Sequence, residues 1–84
     1  MEVCNEPLMI ELLDDVNNSG VVESMYIRGN KATIKLEDKQ YIGIMINKII
    51  AFFVCYLPDA VYEVRGKLVA ITYNKNCYAI KFCS

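Results

Sequence analysis

The side chains of this chain that could do chemistry are carboxylates and thiols, because the sequence contains no histidine. Without histidine, a histidine-based triad, a Cys–His dyad and a His-ligated metal site are all excluded. The pairs Asp14-Asp15 and Glu37-Asp38 are adjacent in sequence. Neighbours on a helix or turn point in different directions, whereas catalytic carboxylates face each other across a cleft. We therefore interpret these pairs as solvated charges.

The four cysteines have no spacing typical of a metal or redox site; they are Cys4, Cys55, Cys77 and Cys83. Cys55 lies in an apolar segment with no base nearby in sequence to activate its thiol. Cys77 and Cys83 fall on one predicted strand, about 20 Å apart and too far to form a disulfide. The first residues show no signal-peptide pattern. We expect reduced thiols that pack as small hydrophobic side chains, in a cytoplasmic protein.

Two short turns contain glycine next to polar residues, Gly29-Asn30-Lys31 and Gly66-Lys67. Neither matches the glycine-rich loop that binds phosphate, so we expect no nucleotide and no other cofactor. The chain has 9 basic and 10 acidic residues and no basic run, which argues against nucleic-acid binding. The basic residues of the predicted C-terminal strands are too scattered to form a stacking surface for RNA; they are Arg65, Lys67, Lys75 and Lys81.

The hydrophobic pattern predicts one domain over residues 1–84, with two helices and five strands. Leu8, Leu12 and Val16 follow Pro7 at helical spacing. Gly29-Asn30 separates two extended runs, as in a hairpin. The predicted class is α+β: a five-stranded antiparallel sheet with helices packed on it. The predicted elements are helix 6–18, strands 21–28 and 31–37, helix 40–57, and strands 60–65, 67–74 and 76–83.

The pattern of apolar and polar residues suggests where two of the strands lie in the sheet. Strand 31–37 alternates cleanly between apolar and polar residues, which favours an edge position. Strand 67–74 is apolar on both faces over Leu68–Ile71, which favours a central position.

Residues 41–57 form the most apolar stretch of the chain, with Asn47 and Lys48 as its only clearly polar members. A helix over residues 42–57 would be about 24 Å long, short of a hydrocarbon core of about 30 Å. Lys48 would lie near the middle of such a span, where a charge is unfavourable. We therefore expect no membrane span and a helix whose bulky face covers the sheet. The bulky face consists of Ile42, Ile46, Ile49, Ile50, Phe53 and Leu57, flanked by Met45, Phe52 and Tyr56.

The opposite face of this helix carries small or uncharged side chains where an exposed helix would carry several charges. Gly43, Asn47 and Ala51 recur every fourth residue, with Val54 close to them. Such a ridge allows another helix to approach closely, and we expect self-association or a partner there. Burial within the same chain is the alternative. Six tyrosines fit strand propensity or an interface, above all Tyr62.

The order α-ββ-α-βββ resembles that of the roadblock / dynein light chain family of longin-like and profilin-like domains. The resemblance rests on a leucine-rich helix that runs from Leu12-Leu13 to Gly20-Val21, a hairpin with Gly29 at its tip, the long apolar second helix, and a hairpin that carries Gly66-Lys67. It implies the sheet order 2-1-5-4-3, with strands 31–37 and 60–65 at the edges. The family commonly has a third helix after the fifth strand, whereas this sequence stops at Ser84.

The resemblance implies a non-enzymatic homodimer that pairs second helices and third strands and serves as a platform or regulator of a small Ras-like GTPase. The implied dimer interface consists of Gly43, Asn47, Ala51, Val54, Val61, Tyr62 and Val64. The implied partner platform consists of Ile44, Lys48 and Cys55. The alternative is a small scaffolding or viral accessory protein that self-assembles through residues 41–57 without a GTPase. A hydrolase subunit completed by another chain ranks third.

Overall fold

The order of helices and strands in the fold is the predicted one. A computed structural model describes residues 7–84. Its elements are α1 (Pro7–Asn17), β1 (Val22–Arg28), β2 (Lys31–Leu36), α2 (Tyr41–Tyr56), β3 (Val61–Arg65), β4 (Leu68–Tyr73) and β5 (Asn76–Cys83). The α+β class with five strands is thus confirmed. Glu6, the first residue of the predicted first helix, lies outside the described residues, as does Cys4.

The sheet has the strand order β1-β2-β5-β4-β3 and is mixed. β2 and β5 are parallel, and the other neighbouring pairs are antiparallel. The order 2-1-5-4-3 and the purely antiparallel sheet are therefore wrong. β2, the strand predicted at an edge, lies inside the sheet, and β1 takes the edge position. β4 is an inner strand, next to β3 at the other edge, and β5 is the middle strand of the sheet.

The direction of β5 follows from the connection that α2 makes. A 16-residue helix carries the chain back along the sheet, so β3 starts at the same end as β2 and runs parallel to it. The hairpins β3-β4 and β4-β5 then make β5 parallel to β2 as well. β5 pairs with β2, whose Ala32, Ile34 and Leu36 are fully buried, rather than with the half-buried β1.

Both helices pack on one face of the sheet, so the protein has two layers and a single core. The core joins α1 and α2 to alternate residues of β2, β4 and β5; its largest members at the centre are Phe53, Phe82, Leu12, Ile34, Leu36 and Ile49. The clean alternation of β2 thus reflects one covered face and one open face. It does not distinguish an edge strand from an inner one. No helix within residues 7–84 is long and apolar enough to cross a membrane.

Candidate interaction surface

The edge strand β3 is the most exposed element of the sheet. It pairs with β4 alone, and all five of its residues are exposed. Val61 is 69% exposed, Val64 41% and Tyr62 38%. An edge strand presents unpaired N–H and C=O groups along its free side, which is a template for pairing with another chain. Apolar side chains beside such an edge strengthen that tendency.

An aromatic contact joins this edge to the second helix. The rings of Tyr62 and Phe53 stack with their centroids 6.0 Å apart and their planes inclined by 21°. Tyr62 and Val64 lie on the helix side of the sheet, since their partners across the strand pair are the buried Ile71 and Val69. The C-terminal half of α2 therefore lies directly above β3.

The other side of β3 carries a local ion pair. Arg65 Nη2 donates a hydrogen bond to Glu63 Oε2 at 2.9 Å. This hydrogen bond, together with the positive charge of Arg65, lowers the pKa of Glu63 below its usual value. The two charges occupy the open sheet face, so the helix side of the edge carries only Tyr62 and Val64.

The outer surface of α2 has a side that leads toward this edge. Gly43, Asn47, Ala51 and Val54 are all exposed, and Val54 is 66% exposed. At about 100° per residue, positions 43, 47 and 54 fall within about 40° of one another and about 80–120° around the helix from Phe53, and position 51 lies about 80° from position 43. A Cβ atom added to Gly43 would meet nothing within 4 Å. Packing within the chain therefore does not require glycine there.

We call the exposed residues of the edge strand and of the outer surface of α2 the β3–α2 surface. It consists of Gly43, Asn47, Ala51, Val54, Val61, Tyr62 and Val64. These are the residues expected to form the dimer interface. Tyr62 and Val64 face the helix layer, whereas Val61 lies on the open sheet face of the same edge strand, with Glu63 and Arg65. Apolar side chains that cluster around an unpaired strand are typical of an interaction site rather than of an ordinary solvated surface.

The three platform residues lie on the other flank of α2, toward α1. Lys48 Nζ is 3.4 Å from Asp15 Oδ2, which ties the two helices together. Positions 44 and 55 share this flank, within about 40° of position 48. Ile44 is 58% exposed and Cys55 is exposed, whereas Lys48 is partly covered. The outer surface of α2 is therefore divided between two separate flanks.

Two further exposed apolar residues lie on the helices and were not foreseen in the sequence. Tyr56, assigned by the helical wheel to the flank of the buried face, is 62% exposed because it is the last residue of α2. Its ring touches that of Phe52, with the centroids 4.9 Å apart. Ile10 on α1 is 41% exposed. Ile10 lies about 160° around the helix from Leu12, so helical spacing already places it outside the apolar stripe that α1 buries.

The described residues hold no cluster of side chains that could bind a metal ion. Cys55, Cys77 and Cys83 are free thiols. A cavity of about 10 Å³ lies between α1 and the β1-β2 hairpin, lined in part by Met9, Leu13 and Ile27. A volume of that size matches about one water molecule and is too small for a substrate. The exposed surfaces, rather than a pocket, are therefore the candidate sites of function.

Comparison with known proteins gives no relative from which a function could be transferred. No protein-family model, no curated protein and no solved structure matches this chain. The function proposed below therefore rests on the residues and on their geometry.

Proposed function

We propose that this chain is a non-enzymatic interaction module that self-associates into a homodimer through the β3–α2 surface. The observation that supports the proposal is the continuity of this surface. An unpaired edge strand, the exposed Tyr62 and Val64 on its helix side and the uncharged side of α2 adjoin one another through the stack of Tyr62 on Phe53. Burial in a dimer would remove this apolar area from water and pair the free backbone groups.

A two-fold axis perpendicular to the sheet fits this surface. Two β3 strands that pair antiparallel across such an axis would extend the sheet from five to ten strands. Both helix layers would then lie on the same side, and the two α2 helices would meet along Gly43, Asn47 and Val54. Glycine inside a helix costs about 1 kcal/mol relative to alanine. Close approach of a second helix gives Gly43 a role that packing within one chain does not.

The oligomeric state tests this proposal directly. Light scattering coupled to size exclusion, over a range of concentrations, should give a dimer mass that falls on dilution. Asn47→Glu should give a monomer with unchanged strand content by circular dichroism, because it places a charge in the helix seam. Gln40→Glu is the matched control, since it adds the same charge at an exposed position just before α2. A folded monomer at every concentration would overturn the proposal.

A second candidate function concerns the flank of α2 that such a dimer leaves free. Ile44 and Cys55 remain exposed beside Lys48, and an exposed Ile44 is suited to a further protein partner. The proposal of a small Ras-like GTPase as this partner rests only on the resemblance to roadblock proteins, whose implied sheet order 2-1-5-4-3 this fold does not have. Without a GTPase, the same dimer would act as a scaffold.

Affinity capture separates the platform from the scaffold. Small GTPases encoded near this chain would be loaded with GDP or with a non-hydrolysable GTP analogue and passed over the immobilised protein. Retention of a GTPase in one nucleotide state by the unchanged protein and by Gln40→Glu, but not by Ile44→Asp, would support the platform function. Absence of retention in both states would leave the scaffold as the function.

A further inference from the structure

The sheet face that points away from both helices is basic. The residues that alternate with the core positions of β1, β2 and β5 include Arg28, Lys31, Lys35 and Lys81, and Arg65 joins them on β3. Among the strand residues of this face are five of the nine basic residues but only two of the ten acidic ones, Glu23 and Glu63, which gives these residues a net charge of +3. The chain as a whole has a net charge of −1. Folding therefore separates the charges that are mixed in the sequence.

Both acidic side chains of this face are already paired. Glu23 lies 3.7 Å from Lys35, and Glu63 lies 2.9 Å from Arg65. Within residues 7–84, no carboxylate lies within ion-pair distance of Arg28, Lys31 or Lys81. These three cations therefore keep their full charge for a ligand from outside.

Two of these cations lie directly opposite each other. Arg28 and Lys31 are partners across the β1-β2 pair, on either side of the Gly29-Asn30 turn. Like charges at directly opposed positions of a sheet are destabilising. Binding of an anion between the two cations would offset this repulsion. In the free protein the repulsion only destabilises the fold.

An exposed ring lies within this group of cations. Tyr26 is 57% exposed and pairs with Thr33, which in turn pairs with Lys81 of the next strand. Neighbouring strands lie about 5 Å apart, so the ring, the hydroxyl and the ammonium group form one row across the sheet. Arg28 and Lys31 form the next row. We call Tyr26, Arg28, Lys31, Thr33, Lys35 and Lys81 the basic sheet face.

We propose that the basic sheet face binds single-stranded nucleic acid. Open sheets recognise single strands by stacking bases on exposed aromatic rings while cations contact the phosphates. Tyr26 provides the ring, Arg28, Lys31 and Lys81 the unpaired cations, and Thr33 a hydroxyl group between them. An acidic protein segment would use the charges, whereas the ring beside a row of cations at strand spacing also suits a stacked base with phosphates next to it. This surface is opposite the helix layer, so its occupation does not depend on the proposed dimer.

Fluorescence anisotropy of a labelled 20-nucleotide oligo(dT) or oligo(U) strand tests the proposal with the whole chain. Binding at low salt should weaken as salt is added, with a log–log slope of about −0.7 for each cation neutralised, or between about −2 and −3.5 for three to five cations. Arg28→Glu and Lys31→Glu should each weaken binding by about tenfold or more. Tyr26→Ala should weaken binding while leaving the salt slope unchanged, because it removes stacking and not charge.

The controls identify the surface and the class of ligand. Lys39→Glu makes the same charge change at an exposed residue away from the basic sheet face, and should alter the affinity by less than about twofold. Circular dichroism would verify that each variant folds. If a variant with a reversed charge does not fold, the neutral variant Arg28→Gln or Lys81→Gln would be used instead. The proposal is overturned if no strand binds at 20 mM salt, if Lys39→Glu weakens binding as much as Lys31→Glu, or if polyglutamate displaces the strand at equal charge concentration. The last result would assign the face to an acidic protein.

Discussion

The ring of Tyr62 on the edge strand lies stacked on the ring of Phe53 in α2, with the two centroids 6.0 Å apart. Phe53 is 1% exposed, whereas Tyr62 is 38% exposed, so the pair runs from the core to the surface. It fixes the end of α2 above β3 and makes the helix and the edge strand one continuous surface. The proposed dimer depends on that continuity.

Removal of the Tyr62 ring should therefore destabilise the fold more than removal of a tyrosine that contacts no helix. Tyr26→Ala is the matched control, since Tyr26 also lies on an edge strand and is 57% exposed. We expect Tyr62→Ala to lower the free energy of unfolding by about 1 kcal/mol more than Tyr26→Ala, because it also loses an aromatic pair and buried area. Urea unfolding at a fixed protein concentration measures both. Equal losses would show that the stack contributes nothing.

A charge on the free edge should block association without unfolding the protein. Val61 is 69% exposed, and lysine is one of the residues with which natural edge strands avoid pairing. Val61→Lys should shift sedimentation equilibrium toward the monomer and change the stability of the monomer by less than about 0.5 kcal/mol. Ser24→Lys, on the opposite edge strand β1, should leave the mass unchanged. If only Ser24→Lys dissociates the protein, the interface lies at the other edge.

The strand order can be tested with a native cysteine. Lys35 of β2 is the neighbour of Cys83 of β5, and Ser24 of β1 lies one strand further away. In a variant whose other three cysteines are serine, Lys35→Cys should form a disulfide with Cys83, because neighbouring strands are about 5 Å apart. Ser24→Cys should not, at about 10 Å. Non-reducing mass spectrometry distinguishes the two, and a bridge from position 24 alone would restore the order 2-1-5-4-3.

The ion pair between the helices should contribute little to stability. The side chains of Lys48 and Asp15 are 37% and 52% exposed, and their charged atoms are 3.4 Å apart. A double-mutant cycle with Lys48→Ala and Asp15→Ala should give a coupling energy of about 0.2–1 kcal/mol at low salt. The coupling should fade in 1 M salt because exposed charges are screened. A coupling that survives high salt would mean that the pair is shielded from solvent, for example by a partner over the α1 flank of α2.

The elements of this fold could be predicted from local patterns. Three signals come from residues close together in the chain. They are the apolar stripe that begins at Leu8 after Pro7, the Gly29-Asn30 turn, and the apolar run that Pro58 ends. Each carries its own physical signal, in helical periodicity, in turn chemistry or in the restriction that proline imposes. The exposed side of α2 was predictable for the same reason, since Gly43, Asn47 and Ala51 share a helix face whatever the helix packs against.

The placement of the strands could not be predicted in this way. Alternation in Lys31–Leu36 shows that one side of the strand is buried, and an inner strand of a two-layer fold shows the same alternation as an edge strand. The docking of β5 on β2 rather than on β1 depends on core packing between residues about fifty positions apart, such as Ile34 and Phe82.

The sequence by itself determined the number, type and order of the elements and excluded histidine-based catalysis, since these follow from composition and from neighbours along the chain. Only the tertiary structure decided the sheet order and the gathering of Arg28, Lys31 and Lys81 on one face. In the sequence Arg28 and Lys31 flank one turn, but Lys81 follows fifty positions later, and the net charge is −1. The register of β1, β2 and β5 brings them together because residues at alternate positions of neighbouring strands share one side of the sheet.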